Sequence, residues 1–118
     1  MELRNRTRGT VLATRVVAAR TLLSRLRGLL GRAGLAEGEA LLLAPCTSVH
    51  TFFMGFPIDV LFLAADGRAL RAVSSLAPWR ATRIYPSAAC AIELPAGALA
   101  RSGTRDGDTL DLVPPEGA

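Results

Sequence analysis

Lysine is absent from the chain, and all fourteen basic residues are arginine. This absence, together with abundant alanine and glycine, is typical of a bacterium with a high-GC genome and says nothing about mechanism. Also missing is any apolar run of the ~18 residues that a membrane-spanning helix requires. Residues 1–8 are polar and basic, so they lack the apolar core of a secretion signal. We therefore expect a cytoplasmic protein without a membrane span.

Histidine and cysteine are scarce, which limits the chemistry available. The chain has one histidine, His50, and two cysteines, Cys46 and Cys90. So few cysteines exclude a disulfide-rich scaffold, and a Cys46–Cys90 disulfide is not expected in a reducing cytoplasm. Cys46 and His50 lie in the apolar stretch 46–63, where an ionisable group must find a partner or titrate with a shifted pKa. This stretch is the candidate site.

The basic charge is concentrated near the start of the chain. Residues 1–32 carry eight arginines and one acid, whereas residues 33–118 carry six arginines and nine acids. Such a basic segment can attract nucleic acid, an anionic membrane surface or an acidic protein patch. No nucleic-acid motif or aromatic interleaving accompanies the charge, so the favoured interpretation is a solvated basic face and nucleic acid is not an expected partner.

Apolar spacing predicts about six strands and one or two short helices. The leucine spacing over 21–30 predicts an amphipathic helix, and residues 96–101 predict one or two helical turns. An Asp66-Gly67 pair predicts a hairpin. The strands are predicted at 10–18, 40–44, 58–64, 68–74, 87–94 and 109–113. Extended backbone over 46–54 and an irregular, proline-bounded loop over 76–86 connect them.

Together these elements predict an α+β fold. With 118 residues, half of them apolar, the chain is large enough for one domain with one core. Neighbouring strands in sequence favour a small, curved, largely antiparallel and barrel-like β-sheet with one or two short helices. We expect a flexible basic N-terminus over 1–9, a single domain over 10–113 and a disordered tail over 114–118.

Six short motifs follow one another along the chain: Arg27-Gly28-Leu29-Leu30-Gly31-Arg32, Phe53-Met54, Ile58-Asp59-Val60-Leu61-Phe62, Asp66-Gly67, Ile92-Glu93-Leu94-Pro95-Ala96-Gly97 and Gly107-Asp108. In this order they resemble the bacterial and archaeal family named domain of unknown function 192, or DUF192. Leu30 replaces the family's usual methionine, and a Lys-Asn-Thr trio is missing between Met54 and Asp59. The resemblance spans roughly residues 10–113. It implies a small α+β fold with a barrel-like sheet and no established activity.

Cys46 and His50 are the candidate catalytic residues. Thiolate nucleophiles need a nearby imidazole, and a turn through Thr47 and Ser48 would bring this pair together. Cys46, His50 and Cys90 could also gather on zinc with Asp59 or water as the fourth ligand. The spacing lacks a paired CxxC or HxxxH signature, so buried structural roles are favoured and neither a metal nor another cofactor is expected.

Two carboxylates, Asp59 and Glu93, fall in strongly apolar strands. Each is expected to accept backbone N–H groups or to pair with an arginine such as Arg80 or Arg83, because an unpartnered buried charge is costly. If both faced one concavity, they would form an acid–base pair. Trp79 with Arg80 on the proline-bounded loop could contact an anionic or planar ligand, or could cover the open end of the sheet.

The favoured function is a non-enzymatic binding or accessory module for a small ligand or a peptide segment, so the expected partner is a small ligand or a protein. Its concavity, around the Cys46 to Leu63 segment, would be lined by His50, Phe52, Met54, Asp59, Trp79, Arg80 and Glu93. The alternative is a thiol-dependent or metal-assisted hydrolase that uses Cys46 and His50. A weaker alternative is an electrostatic nucleic-acid binder that uses the N-terminal arginines.

Overall fold

The computed structural model describes residues 1–19 and 35–114. These residues form eight strands and one helix, α1 (Ala98–Ser102). The strands are β1 (Glu2–Asn5), β2 (Thr10–Ala13), β3 (Arg15–Ala18), β4 (Glu39–Leu43), β5 (Ile58–Leu63), β6 (Ala69–Leu76), β7 (Cys90–Pro95) and β8 (Leu110–Val113). The helix predicted at 21–30 and residues 115–118 of the predicted tail lie outside the described residues. Within the described parts of the chain, no helix is long and apolar enough to cross a membrane.

The strands form two sheets. The smaller has the order β2-β1-β8, and the larger has the order β3-β4-β7-β5-β6. Among the described strands only β3 and β4 pair in parallel, so the expectation of a largely antiparallel, strand-rich fold with a short helix is confirmed. The predicted barrel-like closure is not found there, because the described strands divide between two sheets.

The strand predicted over 10–18 is divided at Thr14. Its first half, β2, joins the three-stranded sheet, and its second half, β3, joins the five-stranded sheet. The N–H groups of Thr14 and Arg15 both donate to the Gly38 carbonyl at 3.0 Å, which fixes the bend. The polar pair interrupts the apolar run at this point. Alternation of side chains cannot show that one run serves two sheets.

The first residues are part of the fold. The sequence predicts a flexible segment over 1–9, and the structure instead places β1 at the centre of the three-stranded sheet. Leu3 and Asn5 are buried, while Arg4 is exposed. β1 is short and charged, and its ladder partner β8 lies more than a hundred residues further along the chain. Local composition therefore gives no signal for it.

The predicted Asp66-Gly67 hairpin is confirmed, because β5 and β6 pair antiparallel on either side of it. Gly67 has φ +90°, a conformation that favours glycine. A Cβ at this position would also lie 2.5 Å from the carbonyl oxygen of Leu110. The hairpin turn is thus pressed directly against β8, and only glycine fits there.

Both faces of the five-stranded sheet are covered by apolar residues. All six residues of β5 are buried, and its five apolar residues are divided by side-chain alternation between two core clusters. The first cluster lies between the two sheets and includes α1; its largest members are Leu3, Leu61, Leu63, Ile92, Leu94 and Leu99. The second lies on the opposite face and includes Val49, Met54, Phe56, Ile58, Val60 and Phe62. The second cluster supports the loops that carry the candidate site.

Candidate functional site

Two long loops meet beside the second core cluster. They are the β4–β5 loop (residues 44–57) and the β6–β7 loop (residues 77–89). An isolated antiparallel bridge joins His50 to Ala81. Two further backbone hydrogen bonds run from the Thr82 N–H to the Val49 carbonyl and from the Tyr85 N–H to the Thr47 carbonyl, each at 2.8 Å. The loops therefore form an irregular two-stranded ribbon.

Thr51 joins the two loops of this ribbon through hydrogen bonds. Its side chain is fully buried, and its hydroxyl donates to the Ala77 carbonyl at 2.6 Å while accepting the Arg80 N–H at 2.9 Å. Its backbone N–H donates to the Arg80 carbonyl at 2.8 Å, and its carbonyl accepts the Trp79 N–H at 3.0 Å. One side chain and its own peptide groups thus fix both loops at their meeting point.

Four aromatic rings lie around this junction: His50, Phe52, Phe53 and Trp79, which we call the aromatic surface. His50 stacks on Phe52 with ring centroids 4.8 Å apart. Trp79 lies 6.2 Å from Phe52 and meets Phe53 edge-on at 4.9 Å. Phe52, Phe53 and Trp79 are 39%, 66% and 59% exposed. The rings contact one another, but much of their area faces solvent.

Two residues of the aromatic surface have a strained backbone. Phe53 has φ 68° and Trp79 has φ 61°, in the left-handed region that disfavours side chains with a Cβ. Such a conformation costs about 1 kcal/mol or more per residue and persists only where the surroundings impose it. The Thr51 hydrogen bonds provide that constraint for Trp79, whose N–H they engage directly.

The two loops carry positively charged side chains and no negatively charged ones. Arg80 and Arg83 are exposed, and neither forms an ion pair within the described residues. The sequence contains no acid between Glu39 and Asp59, so the β4–β5 loop has none, and the β6–β7 loop has none either. The aromatic surface is therefore accompanied by positive charge that these loops do not neutralise.

The N-terminal arginines have a different environment. Each of the four in the described N-terminal segment pairs with an acid: Arg4 with Glu2 at 2.7 Å, Arg6 with Asp111 at 2.5 Å, Arg8 with Asp108 at 3.1 Å, and Arg15 with Glu39. These acids balance the charge locally. The arrangement does not favour an electrostatic nucleic-acid surface in this part of the chain.

Cys46 and His50 both lie in the β4–β5 loop. The Cys46 thiol donates to the Ser48 carbonyl at 3.0 Å, a bond that requires a protonated sulfur. Nδ1 of His50 accepts the Phe52 N–H at 3.3 Å. In β7, burial raises the pKa of the Cys90 thiol, and ionisation of the nearby Cys46 thiol would raise it further. No group of three histidine, cysteine or acidic side chains among the described residues is arranged to hold a metal ion.

Asp59 is fully buried in β5 and is satisfied by backbone donors. Its Oδ1 accepts the Ser75 N–H at 2.8 Å, and its Oδ2 accepts the Gly97 N–H at 3.1 Å and the Leu99 N–H at 2.9 Å. Backbone N–H groups, one of the two kinds of partner expected for this carboxylate, therefore hold it. They tie β5 to β6 and to the start of α1.

Glu93 is fully buried in β7, on the other side of the sheet from Asp59. It lies opposite Val60 in the β5–β7 register, so these two side chains share a face. Asp59 is adjacent to Val60 and therefore points to the opposite face. The two carboxylates do not meet in one concavity, as an acid–base pair would require.

The family assignment follows from the sequence over residues 3–112. That span matches DUF192, described as "Uncharacterized ACR". The chain belongs to the DUF192 family. No curated protein matches the chain.

Two crystal structures show the same fold as this DUF192 protein. A protein of unknown function from Novosphingobium aromaticivorans DSM 12444 superposes with a TM-score of 0.77 at 20% identity, over 94% of this chain and 82% of that one. A protein from Sinorhizobium meliloti 1021, provisionally described as a transcription regulator, has a TM-score of 0.74 at 25% identity, over 93% and 89% of the two chains. Both likenesses concern the fold.

The DUF192 fold brings together only part of the predicted site. His50, Phe52, Trp79 and Arg80 meet at the loop junction, and Cys46 lies in the same loop. Met54 is buried in the second core cluster, and Asp59 and Glu93 lie within the sheet. Sequence reasoning missed the contributions of Thr51 and Phe53. The extended backbone predicted over 46–54 would put Phe53 on the same side as Val49, and nothing in the sequence signals the left-handed backbone of Phe53.

Two clefts among the described residues lie away from the aromatic surface. One, of about 360 Å³, lies between β2, residues 37–38 and α1. The other, of about 290 Å³, lies between the β5–β6 turn, the start of β7 and β8. Neither is lined by any of the seven residues predicted to line the concavity. Three of those seven, His50, Phe52 and Trp79, belong to the aromatic surface.

Proposed function

We propose that this DUF192 protein is a non-catalytic binding module that holds a peptide segment on the aromatic surface. The observation that carries the proposal is the Thr51 junction, which holds Phe53 and Trp79 in strained conformations with their rings exposed. Strained residues persist where the structure around them demands it, and they cluster at ligand clamps. Clustered exposed aromatic residues are typical of protein interfaces.

The spacing of the rings supports a peptide rather than a single planar ligand. Successive contacts along His50, Phe52, Trp79 and Phe53 span 4.8, 6.2 and 4.9 Å. An extended peptide projects same-side side chains about 6.6 Å apart, twice the ~3.3 Å rise per residue. Alternate side chains on one side of such a segment can therefore contact successive rings.

Catalysis has less support in the described residues. A nucleophilic cysteine acts as a thiolate, whereas the Cys46 hydrogen bond to Ser48 needs the proton on sulfur. Asp59, which could orient an imidazole, already accepts three backbone hydrogen bonds. These contacts favour binding over a thiol-dependent or metal-assisted hydrolase.

The test is a selection of random twelve-residue peptides by phage display on the purified full chain. We expect recurrent sequences to be enriched on the wild type, with at least tenfold lower recovery on Trp79→Ala. Val17→Ala, which truncates a 51% exposed residue at the opposite edge of the larger sheet from β6, should behave as the wild type. Thermal unfolding of each variant checks that it is folded. Equal recovery on Trp79→Ala and wild type would overturn the proposal.

A further inference from the structure

We propose that the peptide bound by this protein is acidic, with carboxylates flanking the side chains that contact the rings. This inference rests on the proposed function and specifies the chemistry of the partner. Its basis is the charge around the aromatic surface. Arg80 and Arg83 are exposed and form no ion pair with any described residue, while the two loops contain no acid.

Arg80 and Arg83 differ in their surroundings from the other arginines. Of the ten arginines among the described residues, five are matched with acids, namely Arg4, Arg6, Arg8, Arg15 and Arg71. The other five form no ion pair with a described residue, and among them Arg80 and Arg83 are the two that lie in the loops carrying the exposed rings. A guanidinium forms its strongest contacts as a two-pronged donor to a carboxylate or a phosphate. A bound molecule that carries carboxylates would supply the counter-charge for this surface.

The positions of the two arginines relative to the rings are fixed by the backbone. Arg80 follows Trp79 directly, and Thr51 engages both its N–H and its carbonyl. Arg83 follows Ala81 by two residues, and Ala81 pairs with His50. In an extended ribbon this spacing places Arg83 on the same face as His50. Arg83 thus accompanies the His50 end of the ring series, while Arg80 adjoins Trp79 in sequence.

Nucleic acid could also supply anionic groups, but the ring geometry favours a peptide. Single-stranded nucleic acid binds by stacking its bases on free aromatic faces. Here His50 and Phe52 already stack with 25° between their planes, and Phe52 and Trp79 with 29°. The faces between these rings are occupied by one another. The ring edges and the outer ring faces remain exposed, and these suit contacts with aliphatic and aromatic side chains.

The experiment compares peptide selections on four versions of the full chain. They are the wild type, Trp79→Ala, the double variant Arg80→Gln with Arg83→Gln, and the control Arg68→Gln. Arg68 is an exposed arginine in the β5–β6 turn, at the opposite end of β6 from Trp79. We expect wild-type peptides to be enriched in Asp and Glu next to an apolar or aromatic residue.

A synthetic peptide of the enriched sequence is then titrated while the fluorescence of Trp79, the only tryptophan, is recorded. Its affinity should fall at least tenfold in the double variant, and also between 50 and 500 mM NaCl, because exposed charges are screened. Arg68→Gln should bind as the wild type does.

The outcomes separate the two proposals. Peptides that are enriched without acidic residues, or that bind the double variant as tightly as the wild type, would overturn the acidic partner and leave the binding module intact. If no peptide is enriched over Trp79→Ala, the binding module itself fails. Phosphatidylglycerol vesicles and a single-stranded oligonucleotide are titrated in parallel. If either shifts Trp79 emission while the acidic peptide does not, the partner belongs to that class instead.

Discussion

Asp59 and Leu99 are joined by a hydrogen bond of 2.9 Å from the backbone N–H at the start of α1 to a carboxylate near the start of β5. The N-cap residue that precedes the helix, Gly97, has no side chain with which to cap it. Asp59 performs this task from another strand, since its Oδ2 also accepts the Gly97 N–H. The same carboxylate accepts the Ser75 N–H. One buried side chain thus holds three elements together.

Replacing Asp59 with asparagine should destabilise the protein strongly. The amide keeps one acceptor oxygen, but its NH₂ group would face backbone donors, and hydrogen bonds to a charged group are worth ~1.5–3 kcal/mol each. We expect a loss of about 3 kcal/mol in the free energy of unfolding, measured by urea denaturation. The exposed Asp66→Asn, which makes the same change in the hairpin turn, should cost less than about 1 kcal/mol. Similar losses in the two variants would contradict this role for Asp59.

Gly67 and Gly9 offer a matched pair for the hairpin. Both have positive φ, at +90° and +70°. A Cβ at Gly67 would lie 2.5 Å from the Leu110 carbonyl, whereas a Cβ at Gly9 would meet nothing within 4 Å. Gly9→Ala should therefore show only the left-handed penalty of about 1 kcal/mol, and Gly67→Ala at least about 2 kcal/mol more. Thermal and urea unfolding measure the loss of stability in both variants. Equal losses would show that β8 shifts to make room for a Cβ at position 67.

The Asp66-Gly67 hairpin and the hydrogen bonds of Asp59 show what could and could not be predicted from the sequence. The hairpin was predictable because Asp66-Gly67 and the apolar runs beside it are local signals. The partners of Asp59 lie 16, 38 and 40 residues away, so only the need for some partner could be inferred. The division at Thr14 and the placement of β1 depend likewise on pairings between distant segments.

Asp108 should make stability depend on pH. Hydrogen bonds from Asn5 first, and then from Arg8 and the Arg105 N–H, lower the pKa of its carboxyl from 3.8 to about 2. A lowered pKa stabilises the folded state fully above the unfolded value. That contribution is lost as the pH falls from about 4 towards 2, and it amounts to roughly 1 to 2 kcal/mol.

The measurement is urea unfolding of wild type and Asp108→Asn between pH 7 and pH 2.5. The amide of the variant cannot ionise, so the wild type's advantage over the variant should shrink across the acid range. Other carboxyls titrate equally in both proteins and cancel in this difference. An advantage that stays constant down to pH 2.5 would refute the assignment of this pH dependence to Asp108.

Thr51→Val tests the junction of the two loops. Valine keeps the shape but leaves the Arg80 N–H without its acceptor and the Ala77 carbonyl without its donor. We expect a loss of ~1–3 kcal/mol in stability and greater mobility of Trp79. Fluorescence anisotropy should fall and acrylamide quenching should rise. Thr47→Val, an exposed change in the same loop, serves as control, and unchanged anisotropy in Thr51→Val would show that the rings are held by other contacts.

The candidate site was predictable in its residue types more than in its shape. An apolar stretch with the only histidine, and a proline-bounded loop with the only tryptophan, drew attention to His50, Phe52, Trp79 and Arg80. Their meeting depends on hydrogen bonds between loops about thirty residues apart, as from Thr51 to Arg80. We expected Asp59 and Glu93 to line the concavity. Alternation along a strand separates its two sets of side chains but does not tell which set lies on which face of the sheet.

The central position of β1 bears on how the protein is made. β1 emerges from the ribosome first, but its partner β8 begins only at Leu110. At about 5–20 residues per second, translation leaves β1 paired with β2 alone for roughly 5 to 20 seconds. During that interval the free edge of β1 presents unpaired N–H and C=O groups, and a strand of another chain can pair with them. Newly synthesised chains, rather than finished ones, are therefore the form of this protein most exposed to misassembly.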